Sequence, residues 1–367
     1  ISMIVFVRGD TWETITPTST EKPSARYDTM LMYLNGHLYL FGGRETGSIG
    51  KNDLWKYTIS TKKWEQITPS SDQKPPKRYS SVVGVDHEKN MLYVTAGQDG
   101  TTFFHDVWAF NVTANVWMDK SPSTGEKPVS RYGTAGGTYY KTGRHLYITH
   151  GFTSESERFD DTWRYGFDTK EWENISPAST GTKPQRRCLH GAAMLTKEDM
   201  VLFGGTPGGL KDTWHYAQAT KKWEELKSKP GTKNFVSMTA IHEPTNDNIV
   251  GAILQGGHEN GGEIWYYSCK GTWERRIENT NYNVKASGIT FVPKQTDNDP
   301  FVSVYVFGGR NNSNGNARDV LGQYRMTAVE CPENLVYLPL NDDSKSSAST
   351  LTGSLILLLV HFAMLLI

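Results

Sequence analysis

A repeat of about fifty residues runs through the sequence and constrains its fold more than any other feature. Each unit holds an apolar run ending in glycine, a polar loop, an acid before two aromatic residues, and a later tryptophan. The first unit shows this pattern from Gly42-Gly43 through Asp53 to Trp64. The second glycine recurs at Gly43, Gly97, Gly151, Gly205, Gly257 and Gly309. Since such units bury their apolar faces only against each other, the repeat predicts one domain of six similar units.

Each unit divides into four short apolar segments bounded by Gly, Asn, Asp and Pro, which predicts four β-strands. In the first unit we expect strands over residues 29–34, 37–41, 54–59 and 64–67, with a hairpin turn at Asn35-Gly36. Four-stranded sheets repeated in this way predict an all-β, six-bladed β-propeller. The residues predicted to build the blades include Gly42, Gly43, Asp53, Trp55, Tyr57, Trp64, Gly204, Gly205, Trp214, Trp223, Gly256, Gly257, Gly308 and Gly309.

The outer-strand tryptophans indicate how the ring closes. They lie at Trp12, Trp64, Trp117, Trp172, Trp223 and Trp273. The first precedes the first complete unit, whereas the sixth unit has no such residue after Tyr324. We therefore expect residues 12–15 to complete the last blade. An apolar segment over residues 3–7 leaves a seven-bladed parent with a missing N-terminal portion as the alternative.

The glycine doublet, the Asp-x-Trp-x-Tyr strand and the later tryptophan together resemble the kelch motif, over roughly residues 10–326. Units two and three depart from it, with Ala96-Gly97 and His150-Gly151 in place of the doublet. The resemblance implies a propeller, but it leaves the function open. Propellers of this kind occur in copper radical oxidases similar to galactose oxidase, in iron-dependent nitrile-specifier proteins, in ubiquitin-ligase substrate adaptors and in scaffolds.

The residues do not fit the metal sites of the two enzyme classes that share this resemblance. A copper radical oxidase would need a Cys joined to a Tyr, a second Tyr and two His. The candidates are scattered among different units: His105, His150, His190, His258, Cys188, Cys269 and Cys331. The nearest match to the iron ligands is Glu157, Asp161 and Tyr165, in which a tyrosine replaces the required histidine. The sequence therefore predicts no catalytic residue, metal or cofactor, with an extracellular oxidase-like enzyme as an alternative.

A basic residue before each innermost strand is the better functional lead. Arginine stands there in four units, as Arg26, Arg78, Arg131 and Arg187, and Lys233 and Lys285 are taken as its decayed copies. The repeated acids should share its face of the propeller: Asp53, Asp106, Asp161, Asp212, Glu263 and Asp319. Either each arginine pairs with an acid and joins the blades, or some guanidiniums stay free to bind a carboxylate, sulfate or phosphate. The resemblance to kelch adaptors, which use inner-face arginines on acidic peptides, supports the second alternative.

Loops between the second and third strands open on the same face and vary most, as over residues 44–52, 98–105 and 310–318. Variable loops on a rigid scaffold commonly carry specificity. Phe103 and Phe104 in the second of these loops are candidate aromatic contacts, unless they pack against their own blade.

The C-terminal residues predict a membrane attachment. Residues 355–367 are apolar except for His361, and residues 341–350 are small and polar. This order is typical of a GPI signal, with Ser344 or the neighbouring Asn341 as the attachment site. A membrane-spanning tail and a buried end are the alternatives. The predicted divisions are a truncated N-terminal segment over 1–9, the propeller over 10–329, a stalk over 330–350 and a hydrophobic tail over 351–367.

Charge and sequons complete the prediction. Equal numbers of basic and acidic residues, 39 of each, give no overall field that would attract nucleic acid. Acceptor sequons at Asn111, Asn174 and Asn311 fit a glycoprotein that carries a secretory signal. We expect a non-catalytic cell-surface binding module for a protein or glycan ligand, including an acidic one. An intracellular kelch adaptor or scaffold is the further alternative.

Overall fold

The structure, a computed structural model, describes residues 9–47, 50–153, 156–178, 180–226, 230–242, 249–268, 270–294, 299 and 301–327. These residues form six four-stranded antiparallel sheets, and their innermost strands follow one another in a closed ring. The chain is therefore an all-β, six-bladed propeller. No helix occurs in the described ranges, and so none there is long and apolar enough to cross a membrane. The predicted stalk and tail, with Asn341 and Ser344, lie outside these ranges.

The first strand is β1 (Thr11–Ile15), and the blades follow it in chain order, each from its innermost strand outward. Blade 1 contains β2 (Met30–Leu34), β3 (His37–Phe41), β4 (Leu54–Thr58) and β5 (Lys63–Ile67). Blade 2 contains β6 (Val82–Asp86), β7 (Met91–Thr95), β8 (Val107–Asn111) and β9 (Val116–Asp119). Blade 3 contains β10 (Ala135–Gly137), β11 (His145–Phe152), β12 (Arg158–Gly166) and β13 (Trp172–Asn174).

The second half of the ring repeats this order. Blade 4 contains β14 (Gly191–Met194), β15 (Asp199–Gly205), β16 (Leu210–Ala217) and β17 (Lys222–Leu226). Blade 5 contains β18 (Val236–His242), β19 (Ile249–Gly256), β20 (Ile264–Ser268) and β21 (Trp273–Ile277). A short ladder of β22 (Val284–Lys285) and β25 (Arg310–Asn311) precedes and interrupts blade 6. Blade 6 contains β23 (Gly288–Val292), β24 (Phe301–Phe307), β26 (Leu321–Thr327) and β1.

The last blade is completed by the N-terminal strand, as the tryptophan pattern predicts. β1 pairs with β26 in antiparallel register, with Trp12 opposite Tyr324. The same pairing of aromatic residue with outer tryptophan joins Tyr57 to Trp64 in blade 1. The N-terminal segment is also held by Asp10, whose carboxylate accepts from the Arg276 guanidinium at 2.6 and 2.9 Å. Six blades close the ring, and the first and last described strands, β1 and β26, pair in one sheet.

The core lies between the blades, where each outer tryptophan reaches the blade before it. Trp64 packs edge-on against Phe307 of blade 6, and Trp117 contacts Phe41 of blade 1. The first glycine of the doublet permits a second close approach, between its own blade and the next one. A Cβ at Gly42, where φ is 62°, would lie 2.7 Å from the carbonyl oxygen of Arg78 in the next blade. These glycines and aromatic residues therefore fit adjacent blades together.

Candidate functional site

All four repeated arginines are buried in bidentate ion pairs with the repeated aspartates. In blade 2, the Arg78 guanidinium donates to both carboxylate oxygens of Asp106 at 2.7 Å and to the carbonyl oxygen of Ala96 at 3.2 Å. It is fully buried and stacks 4.3 Å from the ring centroid of Phe104. The equivalent pairs are Arg26–Asp53, Arg131–Asp161 and Arg187–Asp212. The pairing alternative weighed from the sequence thus describes all four arginines.

The pKa values of three of these acids, Asp53, Asp161 and Asp212, are held below the ordinary value. Burial alone would raise the pKa of Asp53, but the hydrogen bonds and positive charge of Arg26 outweigh it and hold the pKa below its ordinary value. The Trp55 indole also donates to this carboxylate, at 2.8 Å. Because each guanidinium is shielded and bonded to an anion of its own blade, a ligand could reach it only by displacing that anion.

Blades 5 and 6 depart from this arrangement. In blade 5 the pair becomes Lys233 with Glu263, 3.1 Å apart, so a shorter cation meets a longer acid. In blade 6 both members are lost. Val284 replaces the arginine, because its carbonyl oxygen faces Gly256 just as the carbonyl oxygen of Arg78 faces Gly42. Val320 replaces the acid, because it immediately precedes β26 just as Asp53 immediately precedes β4. The Tyr282 hydroxyl donates to the carbonyl oxygen of Gly308, the bond that an arginine makes in other blades.

This register corrects two sequence assignments. Lys285 is not the sixth copy of the arginine, because Val284 holds that position. Asp319 is likewise one residue away from the position of the repeated acid, and it pairs instead with Lys22 at 2.7 Å on the partly exposed surface. The apolar replacement of both partners explains why neither substitution leaves a buried charge unpaired.

Lys285 belongs to a basic cluster at the channel opening, which we call the basic mouth and define as Arg44, Lys285 and Arg310. Lys285 and Arg310 are opposite each other in the β22–β25 ladder. Arg44 pairs through its main chain with Tyr27, and its guanidinium lies 4.6 Å from the Tyr27 ring centroid. Arg310 lies over the same ring at 5.6 Å. The mouth thus joins the last blade to the first.

The basic mouth has an excess of positive charge. Its internal acid is Asp28, which is buried and accepts a 2.9 Å hydrogen bond from Arg44. Within the described part of the chain, no carboxylate lies at ion-pair distance from Lys285 or Arg310. Burial and the nearby charge of Arg310 together lower the pKa of Lys285. Burial likewise raises the pKa of Asp28, against the opposing charge of Arg44.

Beside the mouth, residues from all six blades line a chamber of about 150 Å³ in the central channel. Its walls are rich in hydroxyl groups from Ser80, Ser237 and Ser287, and Asp28 lies at its rim. His190 also lines it, with neither ring nitrogen bonded to a described residue. Burial holds the pKa of His190 well below its ordinary value. The chamber can therefore accept polar groups that enter through the mouth.

The remaining predicted site residues lie elsewhere. Phe103 and Phe104 are half-buried: the first packs edge-on against Tyr132, and the second lies over Arg78. In the predicted sequons, the side-chain oxygens of Asn111, Asn174 and Asn311 each accept from a backbone N–H two or three residues on. Asn174 is exposed, and glycosylation of the three stays a prediction. Among the described residues, no group of three or more His, Cys, Asp or Glu side chains is arranged to hold a metal ion.

The sequence indicated the mouth only indirectly. Arg44 and Arg310 each follow a glycine doublet and begin two of the variable loops that the sequence marks for specificity. Their meeting could not be predicted from spacing, because it depends on ring closure. The hydrogen bond from the Ala317 backbone to the Thr46 hydroxyl, at 2.9 Å, shows the two loops in direct contact.

Comparisons with known proteins agree with this architecture. The sequence model of the KLHDC2/KLHL20/DRC7 Kelch-repeats domain matches residues 3–136 and 118–275. Kelch domain-containing protein 10 of Bos taurus is 28% identical over 237 residues, which cover 60% of this chain and 52% of that protein. The Xenopus tropicalis protein of the same name is 28% identical over 271 residues, covering 66% and 62%.

A second relative covers less of the chain. Kelch domain-containing protein 3 of Bos taurus is 27% identical over 198 residues, which cover 50% of this chain and 48% of that protein. The matched part of the chain thus spans from about half to about three fifths of the length of these curated relatives.

Proposed function

Because the chain belongs to the kelch-repeat β-propeller family, we propose that it is a non-catalytic binding module that holds a protein partner at the basic mouth. The observation that carries this proposal is the pair of cations Lys285 and Arg310, which no described acid neutralises. They lie beside the aromatic rings of Phe235 and Tyr27 at the opening of a polar chamber. Such a surface favours a segment of partner chain that carries carboxylates.

The role of the four buried arginines follows from their ion pairs. They fix the starts of four inner strands, and Arg26 also donates to the carbonyl oxygen of Gly42, two residues before Arg44 of the basic mouth. Recognition is left to the cations that depart from the repeat. This division matches the chemistry, because only a guanidinium or ammonium without an internal partner gains a full ion pair from a ligand.

Selection of peptides tests the proposal. A phage-displayed library of random decapeptides panned on the full chain should yield sequences enriched in Asp and Glu. The variant Lys285→Gln/Arg310→Gln should bind the best of them at least about tenfold more weakly, since it loses two charge-assisted contacts. The matched control Lys63→Gln/Lys222→Gln removes two exposed cations from outer strands and should leave binding unchanged. Equal loss in both variants, or selected peptides without acidic residues, would contradict the proposal.

The setting of this activity has two candidates. Display at the cell surface rests on the apolar C-terminal residues and on the three sequons. A kelch adaptor or scaffold inside the cell rests on the family match and needs neither feature. Treatment of expressing cells with a phosphatidylinositol-specific lipase distinguishes them: release of the protein supports surface anchoring, and retention inside intact cells supports the adaptor. In either setting, stoichiometric copper or iron in the purified protein would overturn the non-catalytic assignment.

A further inference from the structure

The connection between blades 5 and 6 carries a set of asparagines that the proposed function does not yet use. In other blades this connection contains a Lys-Pro phrase before the arginine or, in blade 5, before Lys233, whereas here it reads Glu-Asn-Thr-Asn-Tyr-Asn over residues 278–283. Its side chains alternate in burial. Asn279, Asn281 and Asn283 are exposed, whereas Thr280 and Tyr282 between them are buried. The connection therefore has one face anchored in the propeller and one face made of amides.

The exposed amides line a groove of about 480 Å³ between blade 5 and the connection that follows it. A fourth asparagine, Asn260, lines it from the opposite wall. Gly262 leaves room for the side chain of Asn279, because a Cβ at position 262 would lie 2.8 Å from the Asn279 side-chain oxygen. The groove thus depends on the absence of a side chain at this position.

Much of the hydrogen-bonding capacity of these amides is unused. The Asn279 oxygen accepts from the Asn281 backbone, and the Asn283 oxygen accepts from the Asn312 side chain. Their amide nitrogens, and the side chains of Asn260 and Asn281, bond to no described residue. The side-chain oxygen of Asn312, beside Asn283, is buried and also has no partner in the described ranges. Donors and acceptors are therefore both free along the groove.

The charges in the groove neutralise one another. Glu263 lies 3.1 Å from Lys233 and 3.3 Å from Arg275, and Arg275 also reaches Glu278 at 3.4 Å. A ligand in the groove is thus met by neutral amides, in contrast to the basic mouth. The two surfaces are adjacent, since Asn283 is two residues from Lys285, or about 7 Å along an extended chain.

A neutral surface of amides, with both donors and acceptors, complements the peptide group, which presents one N–H and one C=O per residue. A saccharide would also offer hydroxyl partners, but none of the residues that line the groove is aromatic, so there is no ring for a sugar to stack on. We propose that this groove, which we call the amide groove and define by Asn260, Asn279, Asn281 and Asn283, binds the backbone of an extended peptide whose acidic residues occupy the basic mouth.

The inference rests on the proposed function and is tested with variants that keep the loops intact. Asn260 and Asn281 have φ values of 51° and 57°, a conformation that glycine adopts without strain. Asn260→Gly/Asn281→Gly therefore removes two amides and preserves the backbone. Asn90→Gly/Asn115→Gly is the matched control, because these asparagines have φ values of 53° and 58° in turns on the opposite face.

The probe is the acidic decapeptide most enriched in the selection described above, titrated by fluorescence anisotropy. We expect Asn260→Gly/Asn281→Gly to weaken its binding about tenfold, and the control pair to have no effect. A scan of the peptide with single N-methylated residues, which removes one backbone donor at a time and leaves the charges, should give a similar loss at two or more positions.

The outcomes separate the two proposals. If the amide variant and every N-methylated peptide bind as the parent does, whereas Lys285→Gln/Arg310→Gln does not, the amide groove is overturned and the basic mouth stands. If no acidic peptide is enriched, the proposed function itself fails. Displacement of the decapeptide by chitohexaose in the parent but not in the amide variant would overturn the peptide in favour of a glycan.

Discussion

At the scale of single residues, the ring uses the same ion pair four times and then replaces it. Arg78 and Asp106 show why the pair is kept or lost as a unit. The guanidinium has no exposure and satisfies both carboxylate oxygens and a carbonyl oxygen, so each partner depends on the other. Blade 6 has valine at both positions. Loss of both charges avoids the desolvated single charge that makes half of a buried pair costly.

Replacement of one partner or of both should therefore have very different effects. Arg78→Met leaves the Asp106 carboxylate without its cation, and we expect it to lower the free energy of unfolding by about 3–5 kcal/mol. Arg78→Met/Asp106→Val should recover at least about 1–2 kcal/mol of that loss, because no charge is stranded. Urea denaturation followed by tryptophan fluorescence measures both variants, with Asp106→Val alone completing the cycle. Additive losses in the double variant would show that the pair is not coupled.

The sequence places most of these residues correctly but misaligns the sixth copy by one position. Lys285 and Asp319 carry the charges that the pattern calls for, and so they are the natural choice in an alignment by residue type. The register is instead set by the backbone, through the glycine doublets and the residues that face them. The compensating hydroxyl of Tyr282 comes from a residue two positions upstream, where other blades have Ser24 or Pro76. No repeat pattern predicts such a replacement.

At the scale of secondary-structure elements, the inner strand of blade 3 is unusual. β10 has three residues, whereas the other inner strands have four to seven. The chain leaves it at Gly137, and Tyr139 and Tyr140 then cross the lower end of the channel. Tyr140 contacts the rings of His87 in blade 2, His242 in blade 5 and Phe291 in blade 6. An aromatic cluster from four blades thus lines the end of the channel opposite the basic mouth.

The buried imidazole of His242 should make the stability of the fold sensitive to mild acid. Burial lowers its pKa to about 3, whereas in the unfolded chain the pKa is about 6.5. Between these two pKa values the unfolded chain binds a proton at His242 and the folded chain does not. The free energy of unfolding is therefore at its full value above about pH 6.5 and falls as the pH decreases towards 3. A change from pH 7 to pH 5 should therefore lower the free energy of unfolding by about 2 kcal/mol through this group.

His242→Phe removes this titration and keeps a ring in contact with Tyr139, Tyr140 and Phe291. We expect the difference in unfolding free energy between pH 7 and pH 5 to be smaller in this variant by about 2 kcal/mol. The other buried histidines remain as an internal control, because they contribute equally to both proteins. Denaturation curves at the two pH values measure it, and an unchanged difference would mean that the pKa of His242 in the folded state is close to its value in the unfolded chain.

Most elements could be predicted from the sequence, and the exceptions have a physical cause. The strands of blade 1 agree with the alternation pattern to within one residue, because hydrophobic periodicity and the Asn35-Gly36 turn are local signals. The amide groove could not be found in the same way. Its asparagines lie in a connection with no strand pattern, and their common orientation depends on the burial of Thr280 and Tyr282 between them.

At the scale of the whole molecule, ring closure creates the candidate site. Arg44 belongs to the first blade, and Lys285 and Arg310 belong to the last, so they are neighbours because the ring closes, with β2 packed against β23 and β1 completing the sheet of blade 6. The clasp between Asp10 and Arg276, both nearly buried, joins the same N-terminal segment to blade 5. Closure was predictable from the displaced tryptophan Trp12, but the charge that it assembles was not, because charges in loops follow no repeat.

If β1 acts only as the fourth strand of blade 6, its covalent attachment to blade 1 should be dispensable. Thr11 lies opposite Arg325 in the antiparallel pair, which brings Gly9 next to Thr327. A circular permutant can therefore join residue 327 to residue 9 through a four-residue loop, the length between β4 and β5, with new termini between Thr20 and Glu21 in the exposed connection from β1 to blade 1. We expect a cooperatively folded propeller, since every blade keeps its strands and every interface is retained.

The matched control for this permutant has the same termini but lacks residues 9–15, leaving the edge of β26 and the Arg276 guanidinium without their partners. Hydrogen exchange of the β26 amides should show protection in the permutant and its loss in the control. Equal protection in both would show that the ring closes without β1, and an unfolded permutant would show that the link from β1 to blade 1 is itself required.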